Sequence, residues 1–188
     1  MEHLIRPVRA DEWHKAREIR LAALQDPVAH LAFLDTYEAA VARPDEHWQE
    51  RTAGAAEDGD NIRQFVAEAP DGAWDGTVTV LVEHRGATSL IGDVPTVQQT
   101  QVVGVYVRPA ARGAGLADAL FRAALEWSWS LEGEPVQRVR LHVHEENTRA
   151  RAFYRKLGFV PTGAHMPVQE GHDGALELEY EVRRPVTR

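Results

Sequence analysis

Arg112, Gly113 and Gly115 stand together in the stretch Arg108-Pro-Ala-Ala-Arg-Gly-Ala-Gly-Leu-Ala117, and these types at this spacing suit the binding of an anion. An apolar run from Val102 to Val107 precedes the stretch, and a helical pattern follows it to about Ser130. A strand thus feeds a glycine turn, and the turn feeds the first turn of a helix. The free N–H groups there, with the helix dipole, form a site for a phosphate. Gly113 and Gly115 leave no side chain where a ligand must approach the backbone, and Arg112 adds a positive charge at the mouth. No Gly-Lys-Ser or Gly-Lys-Thr closes the motif, so it is not a P-loop. A dinucleotide fingerprint also fits poorly. Its acidic residue about 20 positions on would be Glu132 or Glu134, both in a predicted loop.

A second constellation follows downstream. In Asn147-Thr-Arg-Ala150-Arg-Ala-Phe153-Tyr154-Arg-Lys-Leu157-Gly158-Phe159, Ala150, Phe153, Tyr154 and Leu157 recur at helical spacing. Asn147 can cap the start and Gly158 can sit just past the end. A strand-like run, Val139 to His144, leads into it. Taken together, the two segments resemble the GNAT family of N-acetyltransferases. Arg112-Gly-Ala-Gly115-Leu-Ala117 fits that family's pyrophosphate loop, and Asn147 to Phe159 fits its Asn-x-x-Ala-x-x-Phe-Tyr-x-x-x-Gly-Phe helix. The close match covers about residues 100–160.

The resemblance implies an α/β fold with a mixed, mostly antiparallel sheet and helices on both faces. It implies a V-shaped splay between the two central strands, those holding Val105 and Leu141. Acetyl-CoA is then the cosubstrate. Its pantetheine lies along the backbone of Val105, Tyr106 and Val107, and its pyrophosphate rests on the N–H groups of Gly113, Ala114, Gly115, Leu116 and Ala117. Arg112, Asn147 and Phe153 complete the cofactor contacts. Tyr154 becomes the general acid for the leaving thiolate, its phenol staying protonated at neutral pH because the reference pKa is about 10. The acceptor is a primary amine, on a small molecule or a protein.

The base departs from the pattern of several family members, which carry a glutamate on the strand before the loop. Gln101-Val-Val-Gly-Val-Tyr-Val107 has no acid. Glu83 and His84, ending the neighbouring strand, and His144 and Glu145, where the next strand opens, are the candidates. His142 and His144 share a strand face, but no further ligands at metal spacing accompany them, so no metal site is expected. The chain has no cysteine, which excludes an acetyl-cysteine intermediate and favours direct attack in a ternary complex.

These groups need a scaffold. The 188 residues, 44% hydrophobic and 27% charged, suit a single soluble domain over 1–188 with a sizeable core. Apolar runs are too short to span a bilayer, and Met1 to Pro7 lacks a signal-peptide layout, so a cytoplasmic location is expected. The net charge of −8 disfavours nucleic acid as a partner, and an RNA-directed enzyme with it. Leu4 to Val8 reads as an edge strand, with Asp11 capping a helix to Leu24 that buries Trp13, Ile19, Ala23 and Leu24. Residues 27–44 read as a connection, and Asp45 as the cap of a second helix to Ala56. Gln64–Glu68 and Thr77–Glu83 pair around the Pro70-Asp-Gly72 turn, and 85–99 form a long loop. Acceptor recognition falls to Phe33, Tyr37 and Glu38 in the connection, where a tyrosine beside acids suits an ammonium group, and to His165–Glu170. The apolar–acidic alternation of 175–182 predicts a strand that, if exposed, could pair subunits in a homodimer. A CoA-binding sensor without catalysis is the alternative function.

Overall fold

In the computed structural model, which describes residues 2–168 and 174–186, seven strands form one sheet. The elements run β1 (Leu4–Pro7), α1 (Trp13–Leu24), α2 (Tyr37–Val41), α3 (Asp45–Gly54), β2 (Ile62–Glu68), β3 (Trp74–Glu83) and β4 (Gln99–Val107). They continue with α4 (Leu116–Ser130), β5 (Arg138–His144), α5 (Thr148–Lys156), β6 (Val160–Pro167) and β7 (Leu176–Arg183). The spatial order is β1-β2-β3-β4-β5-β7-β6. Every neighbouring pair is antiparallel except β4–β5, and a parallel pair needs a long crossover, which α4 supplies.

Strand alternation sorts the core onto two faces. Phe65, Val78 and Val80 join Leu120 and Phe121 of α4, with Tyr154 of α5 and Phe159 just past it, on one face. Val66, Trp74 and Tyr106 meet Ala16, Ile19 and Ala23 of α1 on the other. Leu120 and Phe121 are fully buried, and each such side chain contributes about 1.5–3 kcal/mol through removal from water.

Three local expectations change. Asp11 does not cap α1. The N-cap is Glu12, whose carboxylate instead takes two hydrogen bonds from Arg6 (2.6 and 2.8 Å) and one from the Arg9 N–H (2.9 Å). Asp45 is the first residue of α3, behind Pro44, so its charge complements the helix dipole from inside the first turn. The 27–44 connection contains α2, capped by Thr36, whose hydroxyl accepts from Ala39 N at 3.2 Å.

The last strand also differs from expectation. β7 lies between β5 and β6, so its backbone is paired on both sides and offers no edge to a second subunit. Its alternation has another cause. Leu178, Tyr180 and Val182 join the apolar core, while Glu179 and Glu181 meet arginines of β5 on the opposite face.

Candidate active site

β4 and β5 are in register only at Gln99–Arg138, Thr100–Val139 and Gln101–Arg140. Past Gln101 they part. On its other side β4 carries one residue more than β3 between the Val103–Thr79 and Tyr106–Thr77 pairs, which is a β-bulge. Gly104, at φ +62°, is the residue that lets the backbone turn there. The bulge also resets the alternation, so Val102 faces the α4 side while Tyr106 faces α1.

A cavity of about 430 Å³ follows this opening. Val105, Tyr106 and Val107 line one wall, and Asn147, Phe153 and Tyr154 the other. Gly113, Gly115, Leu116 and Ala117 form its end, and Ala114 is exposed at the turn between the two glycines. Gly113 and Gly115 have φ of +82° and +77°, and a Cβ on either would project into open space. The first intrahelical bond of α4 runs from Ala119 N to Gly115 O (3.0 Å), so the N–H groups of Leu116, Ala117 and Asp118 precede the ladder. Unpaired N–H groups at the start of a helix of this kind are what a phosphate group binds.

Arg112 serves it differently from expectation. Its guanidinium pairs with the buried Asp26 carboxylate and donates to the Val107 carbonyl (3.0 Å). That fastens the loop to β4 and cancels much of the charge expected at the mouth. The cations lining the cavity from α5 are Arg149 and Lys156, the latter paired with Asp118 at 3.2 Å.

Helix α5 is fixed at both ends. Asn147 caps it, its side-chain oxygen accepting from Ala150 N at 3.2 Å. Gly158, at φ +91°, closes it: Gly158 N donates to Arg155 O and Phe159 N to Tyr154 O, both at 3.0 Å. Tyr154 packs against Phe121, Phe153 and Phe159 with ring centroids 5.6–6.3 Å apart. Burial, with the nearby Glu177 carboxylate, pushes its phenol well above the ordinary value, so the proton stays on oxygen.

Among the expected bases, Glu83 is not brought to the cavity. It sits at the closed end of the opening, buried between Arg140 (2.8 and 2.9 Å) and Gln99 (2.6 Å). Both of its oxygens are taken up by Arg140, one of them also by Gln99. His84 lies at the same end, bonded to Asn61 and Gln98. His144 is buried at the open end of β5, but its Nδ1 already accepts from Glu146 N at 3.1 Å. In the neutral ring the proton is then on Nε2, which makes that nitrogen a donor. Directly across from His144 in the β5–β7 register is Glu177, which sequence reasoning missed. Cross-strand partners share a face. Burial raises the Glu177 carboxyl to about 7, where a base for neutral pH needs to be. Only its acidic alternation was visible in sequence, and that did not separate it from Glu179 and Glu181.

On the acceptor side, Phe33 reaches the cavity, whereas Tyr37 packs with Trp48, Leu24 and Ala40, and Glu38 is exposed. The ammonium site expected there is not assembled. His165 is exposed on β6, and Gln169 and Glu170 lie outside the described residues.

Comparison with known proteins agrees with this fold. The model of the acetyltransferase (GNAT) family matches residues 6–159. The chain belongs to that family. A curated relative, the mycothiol acetyltransferase of Beutenbergia cavernae, is 35% identical over 56% of this chain and 40% of its own length. The chain thus spans less than half of that relative. Two solved structures share the fold at 18% identity. A GNAT acetyltransferase from Streptococcus pneumoniae has a TM-score of 0.74, over 97% of this chain and 100% of that one. A phosphinothricin acetyltransferase from Sinorhizobium meliloti, solved with AcCoA, has 0.71, over 97% and 89%. As in the GNAT fold generally, the mixed sheet of this chain opens between its two central strands.

Proposed function

We propose that this chain is an N-acetyltransferase that passes an acetyl group from acetyl-CoA directly to a primary amine. The observation that carries the reading is the position of Tyr154, a proton-bearing phenol on the wall of the cavity that begins at the Gly113–Gly115 cradle. Acetyl-CoA, the cosubstrate, fits the parts already described. The cradle suits its pyrophosphate, and the unpaired edge of β4 past Gln101 suits the amides of its pantetheine arm, as an added strand would.

In this reading a neutral amine attacks the thioester carbon, the C–N bond forms and the C–S bond breaks. The main-chain N–H at Val105 stabilises the charge gathering on the carbonyl oxygen. Tyr154 gives its proton to the departing sulfur. Glu177 takes the proton that the amine loses.

Release of free CoA thiol, measured over a panel of amines at about pH 8, tests it. Tyr154→Phe should lower kcat by about 10²–10⁴ while acetyl-CoA affinity stays unchanged, the split expected of a general acid. Tight acetyl-CoA binding with no turnover by either protein would instead favour the sensor reading.

A further inference from the structure

A second, smaller cavity of about 20 Å³ lies on the α1 side of the sheet, against Gly104 of the bulge. Phe33 lines both cavities, and Gly104 adjoins Val105, so the two meet where the thioester lies under the acetyl-transfer reading. Two guanidiniums, Arg20 from α1 and Arg51 from α3, line this smaller space. Among the described residues, the carboxylate acting on both is that of Asp35, and its two oxygens are held by Arg43 at 2.6 and 2.9 Å. Arg20 reaches Asp35 only at 3.5 Å. Three cations therefore share one anion, and Arg20 and Arg51 repel each other.

Arg20 is arranged as a binding group. Its guanidinium lies over the Phe33 ring, 4.7 Å from the centroid, which fixes its plane. Its Nε is buried without a hydrogen-bond acceptor among the described residues. Burial and the neighbouring arginines pull its pKa down to about 10, the mark of a cation short of negative charge. The space beside it holds about one water-sized group. One oxygen of a carboxylate fits that space, and the two oxygens together match the planar fork of an arginine.

We infer that Arg20 and Arg51 bind a carboxylate on the acceptor, so that the substrate class is an amine that also carries a carboxylate, as in a free amino acid. This rests on the acetyl-transfer reading and narrows it. The acceptor's carboxylate enters the small cavity from the α1 side, and its amine then lies across the bulge, facing the thioester carbon. The overall acidity of the chain points the other way, toward cationic acceptors, and the local charge outweighs it because the field at close range is set by the nearest groups.

The test compares free amino acids with their amides, and both with polyamines, in the CoA-release assay. The acids should exceed the matched amides in kcat/KM by about 10–100-fold, the range of one or two charge-assisted hydrogen bonds. Arg51→Gln, at an exposed position where the fold tolerates change, should abolish that preference while leaving the Kd for acetyl-CoA unaltered. Arg20→Lys should weaken it by keeping the charge and losing the fork. Turnover of amides or polyamines as efficient as that of acids, or a preference that survives in Arg51→Gln, overturns the inference and leaves acetyl transfer standing. In the absence of turnover, calorimetry of the CoA-saturated protein with the same amino acids decides. Binding that Arg51→Gln removes supports the site, and no binding overturns it. Failure to bind acetyl-CoA at all is the separate result that would remove the acetyltransferase reading itself.

Discussion

Tyr154 and Glu177 show how much of a residue's chemistry lies in its surroundings. The phenol is held protonated by burial, and the carboxyl is raised to about 7 by the same cause. Under the acetyl-transfer reading, the same burial sets the proposed acid and base apart. Glu177→Gln keeps the shape and loses the ability to accept a proton. It should lower kcat by about 10²–10³ and remove the rise in kcat/KM centred near pH 7, leaving only the ionisation of the acceptor's own ammonium. Stability should move the opposite way. Between the ordinary value of 4.5 and about 7 the folded chain holds a proton that the unfolded chain releases, so folding weakens as pH rises through that window. At pH 8 the variant should melt above the parent in a thermal scan. A lower melting temperature with an unchanged pH profile would assign Glu177 a purely structural role.

At the scale of elements, the loop before α4 and the bulge in β4 do the positioning. Both depend on positive φ. Gly115 is the N-cap of α4 in the left-handed region, and its missing side chain faces the cavity. Gly115→Val adds backbone strain of about 1–3 kcal/mol and fills the cradle. Calorimetry should show CoA affinity reduced by tenfold or more, and unchanged affinity would place the phosphates elsewhere. The loop and its place between strand and helix were readable because glycine spacing and the strand–helix order are local properties. The bulge was not, although Gly104 stood in plain view. An isolated glycine in a strand reads equally as a defect, and only the count of residues opposite it on β3 reveals the inserted one. The 84–98 loop is held by Asp93, which pairs with the buried Arg140 at 2.7 and 2.9 Å and has its carboxyl pulled down to about 2. Arg140 also holds Glu83 and Glu179, so on this face three carboxylates share one guanidinium, the reverse of the cavity at Arg20.

At the scale of the molecule, the sheet is two blocks, β1–β4 and β5–β7, joined by three register pairs at one end of the β4–β5 opening. A ligand lying in the opening touches both blocks and should stabilise them together. At a concentration 100-fold over its Kd, CoA should contribute about 2.7 kcal/mol. That corresponds to a rise in melting temperature of about 5–10 °C for a chain of this length, measurable by differential scanning. An unchanged melting temperature at saturating CoA would contradict the cavity assignment. Among the described residues no helix is long and apolar enough to cross a membrane. The sheet edges are β1 and β6, and β6 carries Pro161, Pro167 and a register shift between Pro161 and His165, features that blunt an edge against pairing with another chain.

Sequence alone determined what depends on near neighbours in the chain. The glycine loop, the helix after it, the Asn147 cap, the Gly158 stop and the position of Tyr154 on an apolar helix face are all set by spacing within one element. Together they identified the family and its cosubstrate. Tertiary structure decided what depends on groups far apart in sequence. It brought Asp26 to Arg112, Arg140 to Glu83, His144 to Glu177, and Arg20 with Arg51 to the bulge. Charge pairing and desolvation fix whether a side chain is an acid, a base, a tether or a binding group. Both are properties of the space a residue occupies, which no local pattern encodes.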